Sequence, residues 1–482
     1  MKILSKERSQ SSSRTAGQLL AQVFRCQEEI THFVSKGELS KDCGYFRFGP
    51  DTICYGQCSS GEPARNVTDA LHDARCHVSI EESVVELPFD PVQVVDALRC
   101  ERYLANSDSS AASLPGNGIL RTLYYAMRPA MGVSIRKHLQ QLYFLGRGRT
   151  SFPTWPVDTT VETIVEQLLV LAMKTQNMER LPFIWFWPDG TPSCTTITHD
   201  VETSAGRDFC PQLMDLNDSF GMKTSFQIVP EERYAVPGSL LQSIRDRGFE
   251  VNVHDLNHDG HLFRDRREFL SRAQRINQYA HQYGAQGFRS AVMYRNVDWF
   301  DALDFAYDMS IPNVAHLDPQ KGGCCTVLPF FIGNMVELPV TMTQDYSLFH
   351  ILKDYTTTLW KEQISRIREK HGLISAIVHP DYIIEKPARR VYNELLEFVC
   401  ELRSHGQTWI ALPGEVASWW RLRSALNLVR NGDSLQIEGL GSERARIAYA
   451  VVKNDRLTYE LASSSHGSAS GVLASSSNIT NS

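Results

Sequence analysis

Short apolar runs alternate with longer stretches of helical periodicity through the middle of the chain, from about residue 183 to residue 412. The runs are rich in β-branched and aromatic residues and end in polar or turn-forming residues, which is typical of buried strands. They predict strands at Cys194–Thr198, Thr224–Val229, Phe249–Val253, Gly287–Arg289, Val336–Leu338, Ile374–Val378 and Thr408–Leu412.

Helical patterns lie between most of these strands. The clearest are Pro237–Arg247, Arg266–Tyr283, Asp298–Met309, Leu348–His371 and Arg389–His405, and Thr159–Met178 precedes the first strand. Because parallel strands need crossover connections, repeated strand-then-helix units predict an α/β fold with a mostly parallel sheet. Seven or so units over about 230 residues favour a (β/α) barrel, and an open doubly wound sheet stays as the alternative.

The two ends of the chain do not follow this pattern. Residues 1–150 are predicted to be an irregular accessory region, with helical stretches at Gly17–Val34 and Ile119–Leu145 and a small β region at Tyr45–Cys54. The barrel is assigned to residues 151–422. Residues 423–462 predict a small β domain of hairpins, and the Ser-rich tail, residues 463–482, is predicted to be disordered.

Composition and charge narrow the class of protein. The chain has 482 residues and a net charge of −6, which argues against a general nucleic-acid binder. No apolar run of about 18 residues occurs, so no membrane span is expected. The N-terminus lacks the apolar stretch of a secretory signal, and the eleven cysteines are scattered. These features predict a cytoplasmic location and free thiols.

Polar side chains follow four of the predicted strands. Asp200, His254, Arg289 and His379 each stand at or just after a strand end, and His258 lies four residues beyond His254. Barrels of this kind place their chemistry at the carboxyl ends of the strands, so these groups should share one rim. The two histidines could reach one ion if the chain turns helically there. Two imidazoles and a carboxylate suit a catalytic zinc site with an open fourth position.

Two acids, Asp200 and Glu202, are separated by one residue and would point the same way from an extended strand end. One could bind the metal while the other accepts a proton from water. The alternative is a helix N-cap at Asp200 with Glu202 in the first helical turn, which needs no metal.

Four ordered motifs resemble those of the polysaccharide deacetylases, also called the NodB-homology or carbohydrate esterase 4 family. They are Thr198-His-Asp-Val-Glu202, His254-Asp-Leu-Asn-His258, Phe288-Arg-Ser290 and Val378-His-Pro380. The resemblance covers about the middle half of the chain. It implies a distorted (β/α) barrel and a divalent metal, usually zinc. It also implies hydrolysis of an acyl group, most often N-acetyl on an amino sugar.

The resemblance also implies a role for each motif residue. Asp200 corresponds to the catalytic base, Arg289 to the arginine that orients this base, and His379 to the general acid. The two metal-binding histidines are His254 and His258, with Glu202 as the third ligand.

The sequence departs from the family pattern at three places. Val201 stands where a second aspartate is usual, which leaves open whether Asp200 or Glu202 is the ligand. Asp255 replaces the usual Ser or Thr after the first histidine. The proline expected near Arg289 is missing from the segment 290–294, which puts the shape of the oxyanion site in doubt.

Other residues are assigned by position alone. Tyr294 and Arg295 follow the arginine motif and are predicted to bind substrate at the cleft wall. We interpret His261 as a solvated loop residue and His199 as packed on the opposite face from Asp200. Substrate contacts are considered for His316, Asp318 and Asp345, and sugar stacking, with core packing as the alternative, for Trp299, Trp409, Trp419 and Trp420.

The sequence therefore predicts a metal-dependent carbohydrate deacetylase with zinc as its cofactor and an acetylated sugar as its substrate. Two alternatives remain open. One is a catalytically silent glycan-binding protein, and the other is a deacylase of a small amide.

Overall fold

The computed structural model describes residues 15–26, 30–104, 152–432 and 434–462. The predicted helix Ile119–Leu145 and the predicted disordered tail lie outside these ranges. Within them, no helix is both long enough and apolar enough to cross a membrane.

Regular elements occupy the described part of the N-terminal region. They are helix α1 (Ala16–Phe24), strands β1 (His32–Ser35), β2 (Gly44–Arg47), β3 (Ile53–Gly56), β4 (Ser79–Glu81) and β5 (Val84–Leu87), and helix α2 (Pro91–Arg99). The β2–β3 hairpin matches the predicted β region, and β1, β5 and β4 form a three-stranded sheet. The region is thus more regular than its sequence suggests.

Helix α1 is much shorter than the predicted Gly17–Val34. It ends because Arg25 adopts a left-handed conformation (φ 53°), and its backbone N–H bonds Ala21 O. The Arg25 guanidinium donates to Leu426 O at 2.6 Å. The chain reverses at Arg25, and the side chain of this residue binds a residue about 400 positions away in the sequence. Helical periodicity could not indicate this reversal.

The central region continues the strand and helix series. Its elements are α3 (Thr160–Thr175), β6 (Arg180–Ile184), β7 (Cys194–Val201), α4 (Ser204–Ser219), β8 (Ser225–Ile228), α5 (Gly238–Asp246), β9 (Glu250–His254), α6 (Arg266–Tyr283), β10 (Gly287–Arg289), β11 (Tyr307–Asp308), β12 (Phe330–Ile332), β13 (Met335–Glu337), α7 (Thr358–Glu369), β14 (Leu373–Ile377), α8 (Lys386–Ser404), β15 (Trp409–Ile410) and α9 (Pro413–Ala425).

Strands β7 to β15 form one curled sheet of nine strands, which confirms the distorted barrel. Its order is β12-β13-β11-β10-β9-β8-β7-β14, with β15 beside the start of β7. Neighbours are parallel except β12 and β13, which are antiparallel, so the sheet is mixed. Strand β7 is buried along its whole length, as expected for a strand covered on both faces. The parallel order brings the carboxyl ends of β7, β9, β10 and β14 to one rim.

Two of the predicted helices are wrong in part. Residues Asp298–Met309 form only a 3₁₀ segment, Val297–Ala302, and then strand β11, which pairs with β10 and β13. In the stretch Leu348–His371, a π-helical turn (Ser347–Ile351) precedes α7, and Lys353 between them has a left-handed conformation (φ 54°). Sheet pairing and a local reversal of the chain override helical periodicity at these places.

The C-terminal strands are β16 (Asn427–Asn431), β17 (Ser434–Glu438), β18 (Ile447–Lys453) and β19 (Arg456–Leu461). They form the two predicted hairpins, but β18 also pairs antiparallel with β6 from the central region. Nearby, the buried guanidinium of Arg423 donates to the carbonyl oxygens of Val23, Ile184 and Trp185. The N-terminal, central and C-terminal parts therefore share one core.

A buried acid on α3 makes stability depend on pH. Glu162 accepts hydrogen bonds from Thr326 Oγ1 and from Val327 N at 3.1 Å, and burial raises its pKa from 4.5 to about 7. Between these values the folded chain keeps a proton that the unfolded chain has released. The contribution of Glu162 to the free energy of unfolding therefore falls as pH rises through this window, by on the order of 3 kcal/mol in total.

Glu162→Gln is thus expected to reduce the fall in the thermal unfolding midpoint between pH 5 and pH 8. Glu179→Gln removes an exposed acid just beyond the same helix and serves as the control. An equal pH dependence in wild type and Glu162→Gln would contradict the shifted pKa.

Candidate metal centre

Three metal-binding side chains converge at the carboxyl ends of β7 and β9. Glu202 follows β7 directly, His254 ends β9, and His258 lies in the turn beyond it. One ligand atom from each lies within 4.8 Å of the others. Glu202 Oε1 is 2.8 Å from His258 Nε2 and 3.7 Å from His254 Nε2.

The turn that brings the two histidines together is not helical. Asp255 and His258 have left-handed conformations, with φ of 57° and 56°. This conformation is uncommon for residues other than glycine, although Asp and His adopt it more readily than most. The helical turn that the four-residue spacing suggested is therefore replaced by a tight loop after the strand.

The donor atoms suit a divalent ion. His254 Nδ1 lies 3.1 Å from Arg289 O, which can only accept, so Nδ1 carries the proton and Nε2 presents its lone pair to the centre. Both Nε2 atoms are buried, and within the described ranges neither has a hydrogen-bond partner of good geometry. An unsatisfied buried nitrogen is costly, and a metal ion would satisfy both.

Charge at Glu202 is consistent with a ligand role. Burial raises the pKa of its carboxyl, but the nearby imidazoles of His258, His254 and His379 lower it by more, so the pKa lies well below the usual range. A metal-binding carboxylate must be ionised, and this one is held so.

Asp200 is paired with Arg289 at the edge of the same cluster. Arg289 Nη1 donates to Asp200 Oδ1 at 3.1 Å, and both side chains are buried. Burial raises the pKa of Asp200, but other influences, of which the charge of Arg289 is the largest, outweigh burial and leave the pKa below its usual value. Asp200 Oδ2 lies 3.8 Å from His254 Nε2. The structure thus groups Glu202 with the histidines and Asp200 with the arginine.

His379 lies beside Glu202 and is held by Asp345. Its Nδ1 is 2.6 Å from Asp345 Oδ1, its backbone N donates to Asp345 Oδ2 at 2.7 Å, and its Nε2 lies 3.3 Å from Glu202 Oε1. Burial lowers the pKa of His379, but Asp345 and Glu202 raise it by more, to well above 6.5. Both carboxylates therefore favour the protonated form of His379.

The sequence predicted Asp345 only as a possible substrate contact and did not predict that it pairs with His379. It lies 34 residues before His379, outside any strand. No spacing rule joins the two positions, so the sequence carries no local signal for this pair.

Of the other candidates, His199 lies on the far face of β7, as expected, with Nδ1 2.9 Å from Val378 O. His261 lies outside the metal-binding group, and its side chain is 45% exposed. Asp318 is buried and accepts from Gln344 Nε2 at 3.0 Å, and the His316 ring lies beside Trp155.

Arg295 is a correction to the predicted cleft wall. It is buried, and both Nε and Nη2 of its guanidinium donate to Glu101 from the N-terminal region. It is therefore not available to a substrate. Tyr294 is half-buried, with its ring against the turn at Gly260 beside the histidines.

The four tryptophans considered for sugar stacking make packing or sheet contacts. Trp409 pairs with Cys194 at the start of β7, which is the opposite end of the strand from Asp200. Trp419 and Trp420 are buried against Phe186 and Trp187, and Trp299 packs on Phe263 and Phe269. Core packing thus explains the buried tryptophans.

Comparison with known proteins concerns the fold. No protein-family model and no curated protein sequence matches this chain. Among solved structures, it is similar to a putative polysaccharide deacetylase from Mycobacterium smegmatis, with 18% identity over 52% of this chain and 98% of that one and a TM-score of 0.40.

A probable polysaccharide deacetylase from Pseudomonas aeruginosa PAO1 is 12% identical over 49% of this chain and 93% of its own, with a TM-score of 0.39. The Puue allantoinase is 12% identical over 49% and 92%, with a TM-score of 0.37. These likenesses fall on the central half of the chain, at low sequence identity.

Proposed function

We propose that this protein is a metal-dependent hydrolase that removes an acetyl group, on nitrogen or oxygen, from a carbohydrate. The observation that carries the proposal is the convergence of Glu202, His254 and His258 beside two polar pairs, Asp200–Arg289 and His379–Asp345. Ligands, a base and an acid in one place are the parts that hydrolysis of an amide or ester needs.

Glu202, His254 and His258 would hold the ion, and zinc is the ion we propose, since two imidazoles and a carboxylate are a common ligand set of catalytic zinc. Bound there, a divalent ion would supply Lewis acidity, which lowers the pKa of water and polarises a carbonyl. Three protein ligands leave a position open for the reactants.

Asp200 is the proposed base. Arg289 keeps it ionised and fixes its orientation, so its carboxylate can accept the proton that the attacking water loses. A base within hydrogen-bond reach of the water contributes roughly 10²- to 10⁴-fold to such a step.

His379 is the proposed acid. An amine leaves poorly as an anion, so its nitrogen must gain a proton as the bond to the acyl carbon breaks. Asp345 holds Nδ1 of His379, which directs Nε2 and its proton to the centre beside Glu202. Transfer of that proton to the leaving nitrogen or oxygen completes the acyl cleavage.

The carbohydrate part of the proposal comes from the motif resemblance, and the cytoplasmic location stays a prediction. Purified protein loaded with zinc should release acetate from N-acetylglucosamine oligomers, because the three proposed ligands converge beside the proposed base and acid. Removal of the ion by a chelator should lower the rate by roughly a hundredfold or more, and added zinc should restore it.

Other outcomes separate the alternatives. Release of acyl groups only from small amides would favour the small-amide deacylase. Binding of the oligomer to zinc-loaded protein without acetate release would favour the silent glycan-binding protein. Failure to bind any divalent ion would contradict the metal centre itself.

A further inference from the structure

A buried ion pair joins the N-terminal region to the segment that follows β10. Arg295 Nε donates to Glu101 Oε2 at 2.6 Å, and Arg295 Nη2 donates to Glu101 Oε1. The Arg295 side chain is fully buried and that of Glu101 is 4% exposed. Two-point pairing of a guanidinium with a carboxylate fixes the orientation of both groups.

Arg295 in turn holds a strained piece of backbone. Its Nη1 donates to Met293 O at 2.7 Å. Val292 and Met293 both have left-handed conformations, with φ of 59° and 55°. Such a conformation is unfavourable for a β-branched residue and persists only when its surroundings impose it. Gln320 adds support, because it accepts from Arg295 N at 3.1 Å and donates to Arg295 O at 3.2 Å.

The same segment contacts the loop that carries both histidines. Arg289 O accepts from Asp255 N at 2.8 Å and lies 3.1 Å from His254 Nδ1. Ala291 N donates to Asp255 Oδ2 at 3.3 Å. Displacement of residues 289–295 would therefore move the carbonyl that sets the orientation of His254.

Tyr294 adds a packing contact to these hydrogen bonds. A Cβ placed on Gly260 would lie 3.4 Å from Tyr294 Cε2, so the ring covers the turn just after His258. Gly260 has φ 76°, which a side chain would strain. Both ends of the histidine loop are thus held by the segment that Glu101 and Arg295 hold in place.

We infer that Glu101 and Arg295 are a positioning pair for the metal centre, and that the N-terminal region sets the geometry of the histidine ligands through it. This inference rests on the proposed function only in that the centre binds a divalent ion. The structural path runs from Glu101 to Arg295, to the strained segment, and then to His254 and Asp255.

The test compares Glu101→Gln with Asp298→Asn in the full chain. Asp298 pairs with Arg102, the neighbour of Glu101, at 3.6 Å, so this pair joins the same two segments, but it is exposed, at 70% and 57%. Zinc affinity is measured by competition with a chromophoric chelator, and the absorption spectrum of the cobalt(II) form reports ligand geometry. Glu101→Gln should bind zinc roughly tenfold more weakly and change the cobalt spectrum. Asp298→Asn should match wild type.

A second variant covers the case in which Glu101→Gln does not fold. Gln320→Ala removes the two bonds to the Arg295 backbone and leaves the ion pair intact, so we expect a few-fold loss of zinc affinity, smaller than that of Glu101→Gln. Wild-type affinity and spectrum in a folded Glu101→Gln or Gln320→Ala protein would contradict the positioning role alone. Absence of ion binding by the wild type would contradict the proposed function as well.

Discussion

His254→Ala is expected to lose zinc binding and acyl hydrolysis together. His254 Nε2 is one of three converging ligand atoms, and the Nδ1 contact with Arg289 O points it at the centre. Two ligands hold a divalent ion far less tightly than three, so zinc affinity should fall by a hundredfold or more, on the order of 3 kcal/mol. Metal content after dialysis and acetate release are the two measurements.

His261→Ala is the matched control for this variant. His261 lies in the same stretch of chain, but its side chain is 45% exposed and lies outside the converging group. It should keep wild-type zinc content and turnover. Full zinc stoichiometry in His254→Ala would contradict the ligand set.

The same measurements decide which acid is the ligand. Glu202→Ala should behave like His254→Ala, because Glu202 Oε1 contacts both histidines. Asp200→Asn should keep its zinc and lose turnover, because Asp200 is hydrogen-bonded to Arg289 and lies outside the group of three converging ligand atoms. The reverse pattern would assign Asp200 to the metal.

His379→Ala is expected to lower turnover by roughly 10²- to 10⁴-fold while zinc stays bound. The imidazole supplies the proton for the leaving group, and it is not among the three converging ligands. Asp345→Asn should show a smaller loss, because the imidazole remains but its Nδ1 loses a charged partner at 2.6 Å.

The choice of substrate makes this prediction specific. An aryl acetate has a leaving group that departs without protonation, so His379→Ala should lose much less activity on it than on an N-acetyl sugar. Asp200→Asn should lose activity on both, because the attacking water must give up a proton in either reaction. An equal loss for His379→Ala on both substrates would contradict the role of general acid.

The local sequence was sufficient to predict much of the sheet and most of the residues that make up the candidate metal centre. Strands such as β9 and β14 can be recognised in the sequence as short apolar runs. A polar group at the carboxyl end of a parallel strand lies at the same rim as the polar groups that end its neighbours. Asp200, His254, Arg289 and His379 could therefore be grouped before any distance was known. In the structure, Glu202 lies with the two histidines and Asp200 lies with Arg289. The spacing of the two acids in the sequence had left this division open.

Elements whose conformation depends on distant partners could not be predicted from the sequence. Strand β11 has only two residues and exists because β10 and β13 flank it, so helical periodicity mispredicted its position. Helix α1 gives way to a reversal at Arg25, whose side chain is bonded near the other end of the chain.

By itself, the sequence determined the alternation of strands and helices, the α/β class and the strand-end residues that make up the centre, because periodicity and strand polarity act over a few neighbouring residues. Only the tertiary structure decided that a left-handed turn joins His254 to His258, that Asp345 holds His379, and that Arg295 is bound by Glu101 instead of facing a substrate. The last two contacts join positions 34 and 194 residues apart, and buried charges must find partners wherever the fold brings them.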